Sequence, residues 1–299
     1  MRMPNFVKIV LGNPKALVGS GIIIAFILLA LSASFITTHV PDKRVGRPHD
    51  APSAEHVMGT TRMGRDVMSQ VIHGGKVSLA VGFGAGIIVC TLAVAMGVTA
   101  GYFGGKIDEV LTFFMNVMLV IPQLPLLFVL AAFIGQASPF VITLIIGFTS
   151  WAWGARVVRA QTMSLREKEF VKAAELLGEP SWRIILVEIL PNLMSIIGAS
   201  FIGSVMYAIM TEATLEYLGL GDPNIVSWGI MLYNVQTSSA ILVGAWWEVV
   251  APCLALIILV IGLALLNFAV DEIANPQLRS QKGMQRWKSM MRKQQEEIA

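Results

Sequence analysis

Apolar positions gather into long blocks along the chain, with charge-free runs over residues 16–40, 77–105, 111–155, 189–211 and 249–270. A run of about 18 or more such residues spans roughly 30 Å of hydrocarbon as a helix. The pattern predicts six crossings, at residues 17–37, 78–102, 110–134, 139–157, 193–215 and 247–270. The long third run is divided by Gly135, Gln136, Ser138 and Pro139. Residues 223–247 are also uncharged, but they are rich in Asn, Ser, Gln, Thr, Gly and Trp. That composition suits an interfacial or re-entrant segment better than a seventh crossing. In the second half of the 39–77 loop, Met63, Val67, Met68, Val71 and Ile72 fall on one side and predict an interfacial helix feeding the second crossing. Pro122, Gln123 and Pro125 predict a kink in the third, which either lines a pathway or serves packing.

Composition agrees. Apolar residues are 55% of the 299, charged ones 14%, and mean hydropathy is +0.70, where a soluble domain is about a quarter charged. A soluble enzyme, a disordered chain and a disulfide-stapled domain are excluded. Both cysteines, Cys90 and Cys253, lie in apolar runs and read as packing residues. The first apolar stretch is longer than a signal peptide's and reads as an anchor. With six crossings and the N-terminus inside, sixteen of the 22 Lys and Arg residues fall on the cytoplasmic side. The expectation is an all-α, multi-pass protein of the cytoplasmic (inner) membrane with both termini cytoplasmic. Three regions follow: 1–77 with the first crossing and outer loop, 78–275 as the core with five crossings, and 276–299 as a basic tail.

The most informative polar segment is 156–194. Phe170, Val171, Ala174 and Leu177 recur at helical spacing, Gly178 is placed to end that helix, and Pro180 prevents its continuation. Ser181 is placed to cap a second helix over 182–190, which Pro191 closes or kinks. The string Val171-Lys172-Ala173-Ala174-Glu175-Leu176-Leu177-Gly178, followed by Ile189-Leu190-Pro191-Asn192, resembles the "EAA" loop of ABC importer permeases. Other segments resemble the dipeptide/oligopeptide/nickel branch of that family, in its "C"-type membrane component. They are Gly59-Thr60-Thr61-Arg62-Met63-Gly64-Arg65-Asp66, Gly74-Gly75-Lys76, Leu218-Gly219-Leu220-Gly221, Trp228-Gly229, and Asn267, Asp271 and Pro276.

The resemblance implies a type I importer permease fold with a cytoplasmic coupling helix. Val171, Lys172, Ala173, Ala174, Glu175, Leu177, Gly178, Leu190 and Pro191 would engage an ATPase subunit, and Gly59, Thr60, Gly64, Arg65, Asp66, Gly219, Gly221, Trp228 and Asp271 would be structural. It implies a second, nonidentical permease, two ATPase subunits carrying ATP and Mg, and an extracytoplasmic binding protein; nucleic acid has no place. Four departures stand out. Lys172 replaces the loop's first Glu, Glu188 stands where His is common, and Thr61 replaces an Asp. In addition, Phe113 and Asn116 replace an Arg and an Asp in the third crossing.

The chain carries no phosphate-binding loop of its own: Gly75-Lys76 and Gly105-Lys106 are followed by Val77 and Ile107 and lack the upstream glycine. It therefore reads as a pathway-forming subunit without catalytic residues or a bound cofactor. The four histidines, His39, His49, His56 and His73, lack metal-ligand spacing. Glu212 and Glu216 share one helical face near the end of the fifth crossing. They line the pathway or meet the binding protein, or else sit at a water-exposed helix end or cap nearby backbone and Lys or Arg of the partner permease. Glycines such as Gly82, Gly86, Gly97 and Gly101 read as close helix contacts. A self-sufficient transporter or channel would need inverted repeats and midplane ion ligands, and neither pattern is present. Peptides are the expected cargo, with oligosaccharides and nickel chelates as alternatives.

Overall fold

A computed structural model describes residues 13–274, and among these no strand forms. Helix α1 (Pro14–Leu31) starts at Asn13, whose side chain accepts the Lys15 amide at 3.0 Å, with Pro14 in its first turn. An Asn cap followed by Pro satisfies one free amide and needs none from the next residue. Ser32 interrupts the helix by donating its hydroxyl to Leu28 O at 2.5 Å, and the short α2 (Ala33–Ile36) follows.

The separate interfacial helix predicted around residues 63–72 does not form. Asp66 caps α3 (Val67–Phe103) by accepting the Ser69 amide at 2.8 Å, and the helix runs unbroken for 37 residues, about 55 Å. Met63 lies outside it, exposed. Gly74 and Gly75 do not break α3, because Trp228 lies against them: a Cβ on Gly75 would sit 3.0 Å from the indole. Farther along, Cβ atoms on Gly97 and Gly101 would strike the carbonyls of Ala155 and Arg159 at 2.6 and 2.7 Å. The glycines thus bring α3 against its neighbour backbone to backbone, the close approach that favours helix association in lipid.

The third predicted crossing is two helices, α4 (Gly105–Val120) and α5 (Gln123–Ile134), bent by 83°. This is a break rather than a kink. Ile121 precedes Pro122 and takes the extended conformation, φ −70° and ψ 124°, because the proline ring excludes the helical one. The fourth is also divided, into α6 (Pro139–Thr149) and α7 (Ala152–Arg166), bent by 40°, and it continues past the expected end at 157. Three polar ties run along the two bent pairs. Arg159 grips Asp108 through Nε and Nη2, Arg156 Nη2 donates to Asn116 Oδ1 at 2.6 Å, and Gln123 Nε2 donates to Ser150 Oγ at 2.6 Å, joining one break to the other.

After α8 (Glu169–Leu176), the second half of the hairpin differs from expectation. Ser181 makes no capping bond, and Pro191 does not end the helix. Instead α9 (Ser181–Arg183), a π-helical segment (Ile184–Ile189) and α10 (Leu190–Tyr217) form one apolar helical run, Ser181–Tyr217. The wider π turn precedes the proline, whose ring would clash with the carbonyl four residues back in a regular α-helix. Asn192 Nδ2 donates to Glu188 O at 2.6 Å across this joint. Helix α11 (Trp228–Ser238) is only 11 residues, about 16 Å, too short to cross, and α12 (Trp247–Ala274) completes the fold.

Among the described residues, four helical segments are long and apolar enough to cross a membrane alone, and counting each bent pair as one broken span brings the number up to six. α3 is the axis, with α6, α7 and α10 packed along it, while α12 packs on α10, and α1 packs on α12 and α3.

Candidate functional site

The predicted coupling residues gather at one end of the bundle. Helix α8 ends in a Schellman turn: Gly178, at φ +77°, donates its amide to Glu175 O and Glu179 donates to Ala174 O, both at 3.1 Å. Val171 is fully buried and packs with Val98, Tyr102, Val158, Ile184, Ile189 and Leu193, fixing α8 to the ends of α3, α7 and α10. Leu190 joins this cluster from its edge, and Pro191 is exposed at the π joint.

The other face of α8 is uncovered. Leu176 is 89% and Leu177 84% exposed, and Ala173, Glu175, Phe170 and Trp182 are exposed as well. Phe170, Ala173, Ala174, Leu177, Ile184 and Val187 line an open groove of about 340 Å³. Glu179 and Arg183 pair on its rim. Lys172 pairs with Glu167 at 2.7 Å, and this ammonium contact holds the Glu167 carboxyl below the usual carboxylate range. Sequence reasoning found α8 but missed Leu176, Trp182 and Val187. Leu176 stands inside the quoted string without a role assigned to it, whereas Val187 carries no motif and shares the groove with Leu177 only because the chain turns at Gly178.

Glu212 and Glu216 lie at the opposite end of α10. The sequence left a water-exposed helix end open for them, and the structure excludes it: they are 0% and 1% exposed. Ser78 Oγ of α3 donates to Glu212 Oε1 at 3.1 Å, and Ser227 Oγ donates to Glu216 Oε2. Ser227 also caps α11, accepting the Ile230 amide at 3.2 Å, so Glu216 faces the positive end of that helix.

The Leu-Gly-Leu-Gly and Trp-Gly segments build this seat. Gly219, at φ +82°, donates its amide to Glu216 O at 2.8 Å and Leu220 donates to Leu215 O at 3.1 Å, a second Schellman turn. Cβ atoms on Gly221 and Gly229 would each lie 2.7 Å from the Glu216 side chain, so neither position has room for one. Trp228 is buried, donates to Val71 O at 2.9 Å and meets Phe26 edge-on.

The loop before α3 forms a folded cap at the same end. Gly59 and Gly64 have positive φ, and a Cβ on Gly59 would strike Trp247, whose Nε1 donates to Thr60 O at 3.1 Å. Thr60 Oγ1 donates to Arg47 O at 2.6 Å, and Arg65 lies 3.8 Å from Asp42. Asp66 is buried with His56 at 3.1 Å, and His49 binds the buried Glu248 at 2.6 Å. Among the described residues, no group of three His, Cys, Asp or Glu is placed to hold a metal. Pro122 and Gln123 occupy the α4–α5 break, apart from both clusters. The Asp271 side chain and the basic tail lie outside the described residues.

Residues 93–280 match the family described as the inner membrane component of binding-protein-dependent transport systems. The chain belongs to that family. It is 31% identical over 271 residues to the dipeptide transport system permease protein DppC of Bacillus subtilis (strain 168), covering 89% of this chain and 83% of that protein. It is 35% identical over 223 residues to the oligopeptide transport system permease protein OppC of Haemophilus influenzae (strain ATCC 51907 / DSM 11121 / KW20 / Rd), covering 73% and 71%. This transport-system component is a multi-pass inner membrane protein, and its family is a membrane permease component rather than an ATPase.

Proposed function

We propose that this chain is one of two nonidentical permease subunits of an ATP-driven peptide importer and forms half of its translocation pathway. ATP and Mg bind two separate ATPase subunits on the cytoplasmic side. A binding protein delivers cargo from the other side, and both termini of this chain are cytoplasmic. The observation that carries the reading is the hairpin. A short helix is anchored through one buried residue, Val171, and turns an uncovered face with Ala173, Leu176 and Leu177 away from the bundle. Small and apolar side chains on a rigid, exposed helix suit insertion into a partner's cleft. Closure of the ATPase pair then displaces α8, and the continuous run Ser181–Tyr217 carries that displacement through the membrane.

Peptide cargo is favoured because peptide transport is what the names of the relatives state. The test is reconstitution of the chain with its co-expressed partner subunits in proteoliposomes, followed by uptake of labelled di- and oligopeptides. ATP-dependent peptide uptake that requires the binding protein is expected. Uptake of an oligosaccharide or a nickel chelate in preference to peptide overturns the cargo, and uptake by this chain alone overturns the assembly. A reporter fused after Leu278 is expected to read cytoplasmic, and a periplasmic signal overturns the orientation.

A further inference from the structure

The described residues place no cation beside Glu212 and Glu216, although both carboxyl groups are enclosed in the bundle. α3 offers Ser78, while its Lys76 is exposed and its His73 binds Thr37. α5 and α6 have no ionisable residue, and α11 has only Tyr233. In α12, Glu248 is taken by His49. The arginines of α7 lie on the part of the fold joined to α4, where Arg159 holds Asp108.

Four residues apart on α10, the two buried side chains are neighbours on one helical face. Their surroundings are unequal. Glu216 receives the Ser227 hydroxyl and faces the amide end of α11, which suits a negative charge. Glu212 has one donor, Ser78, on Oε1, and its Oε2 is buried with no donor at all. Two ionised carboxylates side by side in such a medium repel without relief, and a buried oxygen without a partner is costly. One proton on Glu212 removes both defects. The orphaned oxygen becomes a donor, the neighbouring carboxylate accepts it, and the pair carries a single negative charge where the serine and helix dipole support it.

We infer that Glu212 and Glu216 form a proton-holding site, with Glu212 a neutral carboxylic acid that donates to an ionised Glu216 and thereby pins α11 to α10 and α3. The proton is a structural ligand of the joint, in the same sense that paired carboxyls elsewhere share one proton. Its loss would leave two like charges under Trp228 and loosen α11.

The test is infrared spectroscopy of the full transporter in nanodiscs at neutral pH, with carboxyl-labelled glutamate, reading the C=O stretch of a protonated carboxyl group. The wild type is expected to show a protonated Glu band, Glu212→Gln to lose it, and Glu216→Gln to keep it. Gln at 212 still donates to Glu216, so that variant is also expected to retain assembly and thermal midpoint. Absence of the band in the wild type, its survival in Glu212→Gln, or its loss in Glu216→Gln overturns the inference. If Glu212→Gln fails to assemble, the wild-type and Glu216→Gln spectra decide alone.

Discussion

Gly178 and Gly219 end their helices with the same two backbone hydrogen bonds, yet the turns have opposite surroundings. Beyond Gly178 there is open space, and the apolar side chains of α8 face outward. Around Gly219 one side of the turn is packed, although Leu218 is exposed: Tyr233 would lie 3.0 Å from an added Cβ, and the adjacent Glu216 fills the room left by Gly221 and Gly229. The hairpin before α10 leaves its apolar face uncovered, whereas the far end of α10 packs its carboxyl pair and glycines inside the bundle. Surfaces that await a partner expose apolar groups, whereas buried polar groups are stable only when satisfied. The difference separates a surface for association from a joint that holds the fold.

The largest test of that contrast removes residues 171–178. Copurification of the ATPase subunits is expected to vanish while the chain still inserts in the membrane. Normal copurification would remove the hairpin from the coupling role. At the other end, Trp228→Ala empties the space between Phe26, Gly74 and Gly75 and frees Val71 O. A loss of about 3 kcal/mol or more is expected from the cavity, read as a lower thermal midpoint of the purified complex. Intact stability would mean that α11 is not held by this residue.

How much of this was legible in the sequence follows the same division. Periodicity and breakers are local, so α8, its Gly178 stop and the six apolar stretches could be placed from spacing alone. Of the two breaks, the one at Ser150 carries no breaker residue and the fourth crossing read as continuous, whereas the one at Pro122 was legible as prolines within the third run. The 83° angle was not, since the proline forbids a helical Ile121 without specifying the new direction. The carboxyl pair was visible as two residues on one face, but its burial depends on Ser78 and Ser227, distant in sequence and unremarkable in type. Likewise, a glycine pair in α3 signals a break locally, and only Trp228 explains its helical state.

Valine at each turn glycine sharpens the comparison further. Both sites have positive φ, which costs a branched residue roughly 1–2 kcal/mol. At Gly219 the side chain also meets Tyr233, whereas at Gly178 it meets nothing. Gly219→Val is expected to lower the thermal midpoint more than Gly178→Val, and Gly178→Val is expected to weaken ATPase association more than Gly219→Val. Equal effects on both readouts would erase the distinction between surface and joint.

The smallest effect belongs to the pair at the foot of α8. The Lys172 hydrogen bond and charge hold Glu167 below the usual carboxylate range. Any stabilisation it gives is therefore present above the ordinary glutamate value and lost as pH falls through the lowered one. The pair is exposed, so salt and side-chain entropy leave little of it. Glu167→Gln is expected to leave the thermal midpoint at neutral pH unchanged and to flatten only its acid limb. ATPase association should persist, because α8 keeps its place through the Val171 anchor rather than through the ion pair. Loss of association in Glu167→Gln would show instead that the charge pair orients α8, and the uncovered face would then need both ends of that helix to be fixed.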